Sequence, residues 1–367
     1  MDRRKLLDII HGKDQSPSAQ LTRVGLHAVQ PFYSLAVAAR NTLFDLKLRR
    51  PRQLPRPTIS IGNITTGGTG KTPMTLELAR RLIALGEKPA ILLRGYRAAD
   101  APVTHGAISD EAALLQHALG DEVPVMPNPN RVAGARAVLA GRSDVSVFLL
   151  DDGFQHRQVH RDLDLVLIDA TFPFGGGQML PAGLLREPPR ALGRAEALIL
   201  TRTDLVKPEV IAAIQARLAR LKAPPLTART AQTWTGLIDA QERTHRLESL
   251  RDTTVAAVCG IGNPAQFKAM LAACFPHVTG LYELEDHQRY TPALVRQMID
   301  HAARQGATAL ITTEKDWVKW KPLVSESPPA MPLYRPVLAV KFLEGEAKVD
   351  ELLRAALSAG RKRMGTN

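Results

Sequence analysis

The stretch TTGGTGKT at positions 65–72 brings together the three kinds of group that can hold a polyphosphate. Backbone amides around Gly67, Gly68 and Gly70 can turn inward as an anion nest. The Lys71 ammonium can reach β- and γ-phosphates, and the Thr72 hydroxyl can ligate Mg²⁺. The common G-x-x-x-x-G-K-S/T pattern has glycine where this chain has Thr65. That exchange costs backbone freedom at the turn but removes neither the cation nor the hydroxyl. Thr65, Thr66, Gly67, Gly68, Thr69, Gly70, Lys71 and Thr72 are therefore the expected nucleotide-phosphate cradle, against the plainer reading of a structural glycine loop.

A second stretch, VSVFLLDD at 145–152, is an apolar strand ending in two carboxylates. Such a strand tip can hold Mg²⁺ directly or through water, and beside Lys71 and Thr72 it makes Asp151 and Asp152 the acidic pair of a nucleotide site. Gln155 and His156, three and four residues beyond Asp152, add polar groups at the same sheet edge, where they are expected to face substrate.

These groups need a sheet edge to stand on. Residues 55–62 read as a buried strand entering the loop and 73–85 as the helix leaving it. Further strands are expected at 90–93, 145–150, 163–168 and 197–201, with helices at 111–119 and 131–139 between some of them. Strands alternating with helices predict a mostly parallel α/β sheet of the P-loop NTPase type, with ligands at the carboxyl ends of the strands. The Pro- and Thr-rich segment from 222 to 236 reads as a boundary. After it the alternation resumes at 253–259, 264–274, 277–284, 292–305 and 309–312. The expected organisation is an N-terminal segment (1–56), a P-loop domain (57–228) and a smaller C-terminal α/β domain (229–367) closing over the active site.

The chain has 367 residues, a hydrophobic fraction of 45% and a formal charge of +12, which favours an anionic partner without choosing among nucleic acid, membrane and phosphorylated substrate. Two cysteines, Cys259 and Cys274, form no C-x-x-C pair, so neither a disulfide framework nor a zinc cluster is expected. Asp8 and His11 interrupt the start too early for a secretory signal, and no apolar run is long enough to span a bilayer. Phe32, Leu35, Ala36, Ala39, Leu43 and Leu46 nevertheless recur at helical spacing, followed by Lys47, Arg49, Arg50, Arg52 and Arg56. The pattern suits a helix lying in an anionic membrane interface, and equally a helix packed on the protein's own core.

The runs GNITTGGTGKTP (62–73), DDGFQHR (151–157), LPAGLLREP (180–188) and TTEKDWVK (312–319) together resemble tetraacyldisaccharide 4′-kinase, the lipid A 4′-kinase of Gram-negative bacteria. The resemblance covers nearly the whole chain, and that family carries Ser or Thr at the position of Thr65. It implies transfer of the γ-phosphoryl group of Mg-ATP to the 4′-hydroxyl of a tetraacylated glucosamine disaccharide 1-phosphate at the cytoplasmic face of the inner membrane. It further implies a peripheral enzyme, here taken as a monomer without nucleic acid. By the same resemblance Asp110 is the general base and Glu111 its metal-side neighbour, although Asp121 in GDEVP competes for that alignment. His287 partners the base, Arg186 lies near the ATP phosphates, and Arg40, Asp45 and Arg131 serve the lipid head group. Arg186, Arg131, Arg40 and Asp45 could each instead form a solvated ion pair.

Three rivals remain at this level. GIGNPA (260–265) matches a loose dinucleotide fingerprint with Glu283 and Glu285 beyond it. TRTD (201–204) resembles the guanine reader of a regulatory or metal-delivery GTPase, with Arg202 in place of lysine. A non-enzymatic membrane-binding protein is the third class.

Overall fold

The computed structural model describes residues 3–10, 12–95, 110–261, 264–285, 288–325 and 329–365, with backbone alone at 3–5 and 110. In chain order its elements are α1 (Arg3–Ile10), α2 (Pro17–Asp45), β1 (Thr58–Gly62), α3 (Lys71–Ala84), β2 (Pro89–Leu93), α4 (Asp110–Leu119), β3 (Val125–Pro127), α5 (Arg131–Gly141), β4 (Val147–Asp151), β5 (Leu163–Asp169), β6 (Ala197–Thr201), α6 (Pro208–Arg220) and β7 (Leu226–Asp239). There follow β8 (Thr244–His245), β9 (Val255–Cys259), α7 (Pro264–Cys274), β10 (Val278–Glu283), α8 (Pro292–Arg304), β11 (Ala309–Thr312), α9 (Glu314–Ser325), β12 (Leu333–Glu344) and α10 (Glu346–Met364).

Two compact units result: residues 1–231 with 341–367, and residues 232–340. In the first, strands lie in the order β7-β6-β5-β1-β4-β2-β3, each neighbouring pair parallel. Every residue of β1, β2, β4 and β6 is buried. Continuous apolar strands covered on both faces are what a parallel sheet demands, because its crossover helices must pack on both sides. The chain starts at the centre with β1, places β2 and β3 outward on one side, returns with β4 between β1 and β2, then crosses to β5 on the other side of β1. The two neighbours of β1 thus belong to opposite windings, the switch point at which such sheets open a crevice at their carboxyl edge.

The second unit has β10-β9-β11-β12, again parallel, with the end of β7 paired antiparallel to β8. Trp317 and Trp320 of α9 are buried in its core. This mostly parallel sheet architecture with flanking helices is the expected one, and most element ends differ by a few residues from the sequence reading.

Two differences have clear physical causes. The segment expected as a boundary from 222 is largely β7; its Thr-rich composition lacks alternation because its burial is irregular, yet β-branched residues suit a strand. Residues 341–367, read with the C-terminal domain, belong to the first unit. There α10 packs under β1 and β5, burying Val349, Leu353, Ala356 and Leu357.

Candidate active site

Gly70 caps α3 with φ 87° and Gly67 has φ 116°, left-handed values that a β-carbon would strain, so the final turn of the cradle depends on glycine. No side chain caps the first turn of α3. Its N-terminal amides therefore remain available to an anion, with the helix dipole adding positive potential.

The loop is held from outside. Thr66 N–H donates to Leu184 O at 2.7 Å, Arg186 N–H donates to Ile64 O at 2.8 Å, and Thr201 Oγ1 donates to Thr69 O at 3.1 Å. Buried Asn63 organises the entrance: its Nδ2 donates to Thr65 Oγ1 at 3.2 Å and its Oδ1 accepts from Lys71 Nζ at 3.2 Å. Thr65, the departure from the common loop pattern, is thus used: its hydroxyl receives Asn63, and its backbone pairs with Leu185. Carbonyls of the loop are tied to its surroundings while the amides at the start of α3 are left over, which is the polarity an anion cradle needs.

The paired carboxylates sit at the tip of β4, whose Asp151 lies in register beside Ile61 of β1. They have opposite environments. Asp151 is buried and accepts from Thr75 Oγ1 at 2.9 Å. Burial, with the negative charges of Glu111 and Asp152, pushes its pKa up to about 6 against the pull of Lys71 and Thr75. Asp152 has φ 54°, an uncommon conformation for a non-glycine residue that aims its carboxylate away from the strand direction. Burial raises the pKa of Asp152, but Lys71 Nζ at 3.6 Å and Arg186 Nη1 at 2.6 Å outweigh it and hold the acid below its ordinary value. One carboxylate is therefore kept ionised by cations, while the other carries charge that burial and its acidic neighbours oppose.

Other sequence candidates divide. Glu111, in the first turn of α4, lies close enough to Asp151 to raise its pKa. His156 is held near 4 by burial and by the charges of Arg131, Arg161 and Arg94, so its ring is neutral at physiological pH. Arg131 opens α5 almost wholly buried and donates to Asn128 O at 3.1 Å. Gln155, expected to face substrate, spends its amide on Asn63 O at 2.8 Å. Arg40 pairs with Glu187, which Arg194 clamps from the other side at 2.5 Å, and Glu187 is 0% exposed. Asp45 pairs with Arg157 at 2.7 Å. Both thus make ion pairs within the protein. Asp110 begins α4, its side chain outside the described residues, as is the whole of His287.

A family model, LpxK: Tetraacyldisaccharide-1-P 4′-kinase, matches residues 22–358. The chain belongs to the tetraacyldisaccharide 4′-kinase family. A relative from Anaeromyxobacter dehalogenans (strain 2CP-C), named tetraacyldisaccharide 4′-kinase, is 39% identical over 312 residues, 82% of each chain. One of the same name from Syntrophus aciditrophicus is 36% identical over 337 residues, 87% of this chain and 88% of its own. The crystal structure of the "apo" form of LpxK from Aquifex aeolicus in complex with ATP has 27% identity and a TM-score of 0.71, covering 92% of this chain and 99% of its own.

Within a tetraacyldisaccharide 4′-kinase the rival motifs have structural roles. Arg202 is buried and paired with Asp169, so the TRTD stretch ties β6 to β5. The first amide of the GIGNPA loop, Gly260 N–H, donates to the buried Asp316 carboxylate at 2.8 Å. A pyrophosphate there would meet a carboxylate where the fingerprint needs a free amide. Gly262 and Asn263 lie outside the described residues.

Sequence reasoning passed over Asn63, Thr75 and Arg194. Thr75 stands four residues after Lys71, hence on the same helix face, and that spacing was its one available signal. Among the described residues no cluster of three or more His, Cys, Asp or Glu is arranged to hold a metal. The donor set nonetheless fits Mg²⁺, which takes one or two protein carboxylates and fills its shell with phosphates and water. The crowding of negative charge around Asp151 is what a cation would relieve.

Proposed function

We propose that this kinase transfers the γ-phosphoryl group of ATP to the 4′-hydroxyl of a tetraacyldisaccharide 1-phosphate, giving the bis-phosphorylated lipid A precursor. The observation that carries the reading is the meeting of Lys71, Asp151, Asp152 and Arg186 at the carboxyl tips of β1 and β4, against a glycine cradle. Amides of residues 67–72 bind the polyphosphate, and Lys71 offsets charge on the transferring group. Thr72 and Asp151 would hold Mg²⁺, with Glu111 beside them. A bound Mg²⁺ supplies charge neutralisation of the β- and γ-oxygens. Asp152 restrains both Lys71 and Arg186 until phosphate oxygens replace its carboxylate as their partner.

The acceptor hydroxyl gives its proton to a carboxylate as its oxygen bonds the γ-phosphorus and the bond to ADP breaks. Asp110 is better supported for that role than Asp121. Residue 110 starts α4, which follows β2 and so begins on the carboxyl side of the sheet. Asp121 lies beyond the far end of the same helix, in the turn just before β3, with its carbonyl bonded by Arg142. Neutral His156 and the guanidinium of Arg131 supply hydrogen bonds and charge for a sugar phosphate near that edge.

Helix α2 supports action at a membrane surface. Its Val37 and Phe44 are buried and Tyr33 donates to Arg186 O at 3.1 Å, while Phe32 (73% exposed), Leu35 (69%), Leu43 and Leu46 lie outward. Leu21 and Val24 extend that stripe at the same spacing, and the basic run 47–56 follows it. An apolar stripe on the outer face of a helix already anchored by its other face has lipid as its natural partner. Among the described residues no helix is long and apolar enough to cross a membrane. We infer a peripheral enzyme acting at the membrane face where ATP is available.

The test is incubation of γ-labelled ATP and Mg²⁺ with the detergent-dispersed disaccharide 1-phosphate, following label into the lipid. Label at the 4′-position is expected, reduced at least ~100-fold by Lys71→Ala, the scale of losing a preorganised charge contact. Full activity in Lys71→Ala, or lipid-independent GTP turnover instead, would overturn the assignment.

A further inference from the structure

At the opposite, amino-terminal edge of the same two strands lies a cavity of about 960 Å³. It opens between the residues leading into β1 (53–57), the α5–β4 connection (143–146), one face of α5 and the end of α10. Five strand residues at about 3.3 Å each separate it by roughly 15 Å from the phosphate cradle, so it is no extension of that site.

Its charge is one-sided. Four arginines, Arg56, Arg136, Arg361 and Arg363, face one acid, Asp144. Arg361 pairs with Glu87, and Arg363 with Asp162 at 2.9 Å. Asp144 is already neutralised by Arg142 at 3.1 Å and Lys88 at 3.2 Å, which hold its pKa down to about 2. Arg56 donates only to backbone carbonyls, Val145 O at 2.6 Å, Pro55 O at 2.8 Å and Ser143 O at 3.2 Å. Its charge is therefore held in place by neutral groups, without a carboxylate among the described residues. Arg136 extends from the exposed face of α5 and also pairs with no carboxylate among them.

We propose that this cavity binds a phosphate monoester, with Arg56 and Arg136 as its anion-binding pair. Two uncompensated guanidiniums match the near-dianion of a monoester above its second pKa of about 6. Planar guanidinium forks suit phosphate oxygens, and all four cavity cations are arginines. The remaining wall mixes apolar Leu54, Val132 and Met364 with polar Gln53, Ser143 and Ser146, and leaves room for a glycerol- or sugar-sized body. A soluble sugar or glycerol phosphate and the head group of phosphatidic acid share this chemistry.

The experiment uses the full chain carrying Lys71→Ala, which weakens the phosphate cradle as a competing reader. Equilibrium dialysis with labelled glycerol 3-phosphate is expected to show one saturable equivalent. Arg136→Glu and Arg56→Gln should each weaken it about tenfold or more, the worth of one charge-assisted contact. Arg136→Glu in an otherwise native chain should leave kinase activity unchanged. Displacement of the label by phosphatidic acid vesicles in phosphatidylcholine identifies the lipid as the ligand, and displacement only by inorganic or sugar phosphate identifies a soluble one. Because Arg56 also braces two connections, the exposed Arg136 decides the matter if Arg56→Gln fails to fold. Binding indifferent to Arg136→Glu, or no saturable binding at millimolar glycerol 3-phosphate, overturns the proposal.

Discussion

Asp151 and Asp152 are adjacent in sequence and chemically unlike because only the backbone between them changes hand. Asp151 keeps the strand conformation, points into the core and finds Thr75. Asp152 turns to φ 54° and finds Lys71 and Arg186. The upward shift of Asp151 also bears on stability. Its folded pKa, about 6, lies above the ordinary aspartate value of 3.8, so the folded state binds the proton more tightly than the unfolded chain does. That contribution is complete below about pH 4 and is lost as pH rises through 6. Asp151→Asn should therefore raise the unfolding free energy of the Mg²⁺-free protein at pH 8, by up to about 3 kcal/mol before relaxation of the site and visible as a higher Tm, and the advantage should vanish by pH 4. Added Mg²⁺ and ATP should stabilise the native chain more than the variant. Thermal melts across that pH range decide it, and a variant less stable than the native chain at pH 8 would contradict the electrostatic account.

Helix α2 is the element whose two faces do different work, and its inner face meets the phosphate region through a single short segment. Tyr33 and Arg40 contact Arg186 and Glu187, and Arg186 is the residue that holds Asp152. Phe32→Glu with Leu35→Glu should leave the fold intact, since both side chains are largely exposed. The pair should weaken binding to anionic vesicles by more than tenfold, from lost apolar burial at about 25 cal/mol per Å². Glutamine at Lys47, Arg49 and Arg50 should weaken binding chiefly at low salt. Sedimentation with vesicles measures both, and unchanged partition of the Phe32 and Leu35 variant would remove the interfacial role of this face. The stripe is visible in the sequence because its spacing is a local property. What spacing does not tell is which face meets the protein. That depends on Val37, Phe44 and Tyr33 finding partners more than a hundred residues away.

The same limit applies to the fold as a whole. Strands β4 and β6 could be located because a central parallel strand is a nearly continuous apolar run, β1 because its β-branched residues lead straight into the glycine loop, and the cradle because its chemistry is written in consecutive residues. Strand β7 reads as a linker because its burial does not alternate. Helix α10 goes unassigned because its place is fixed by remote partners: Arg81 reaches Asp350 at 2.8 Å and Glu346, and lies over the Phe342 ring. At closest approach Gly360 sits on Pro57, where a β-carbon would come within 2.7 Å of the proline ring. Gly360→Val should then cost about 1–3 kcal/mol by overpacking, lowering Tm by several degrees without altering the affinity for nucleotide. A melt indistinguishable from the native chain would show that this contact yields freely.

The sequence distance between β1 and α10 also sets an order of events during synthesis. The surface beneath β1 that receives Val349, Leu353 and Leu357 is translated almost three hundred residues earlier. Until residues 349–357 have left the ribosome, the nascent phosphate-binding half stands with an uncovered apolar flank. A chain interrupted before residue 349 would leave that flank bare, and such a copy is expected to be prone to aggregation or proteolysis.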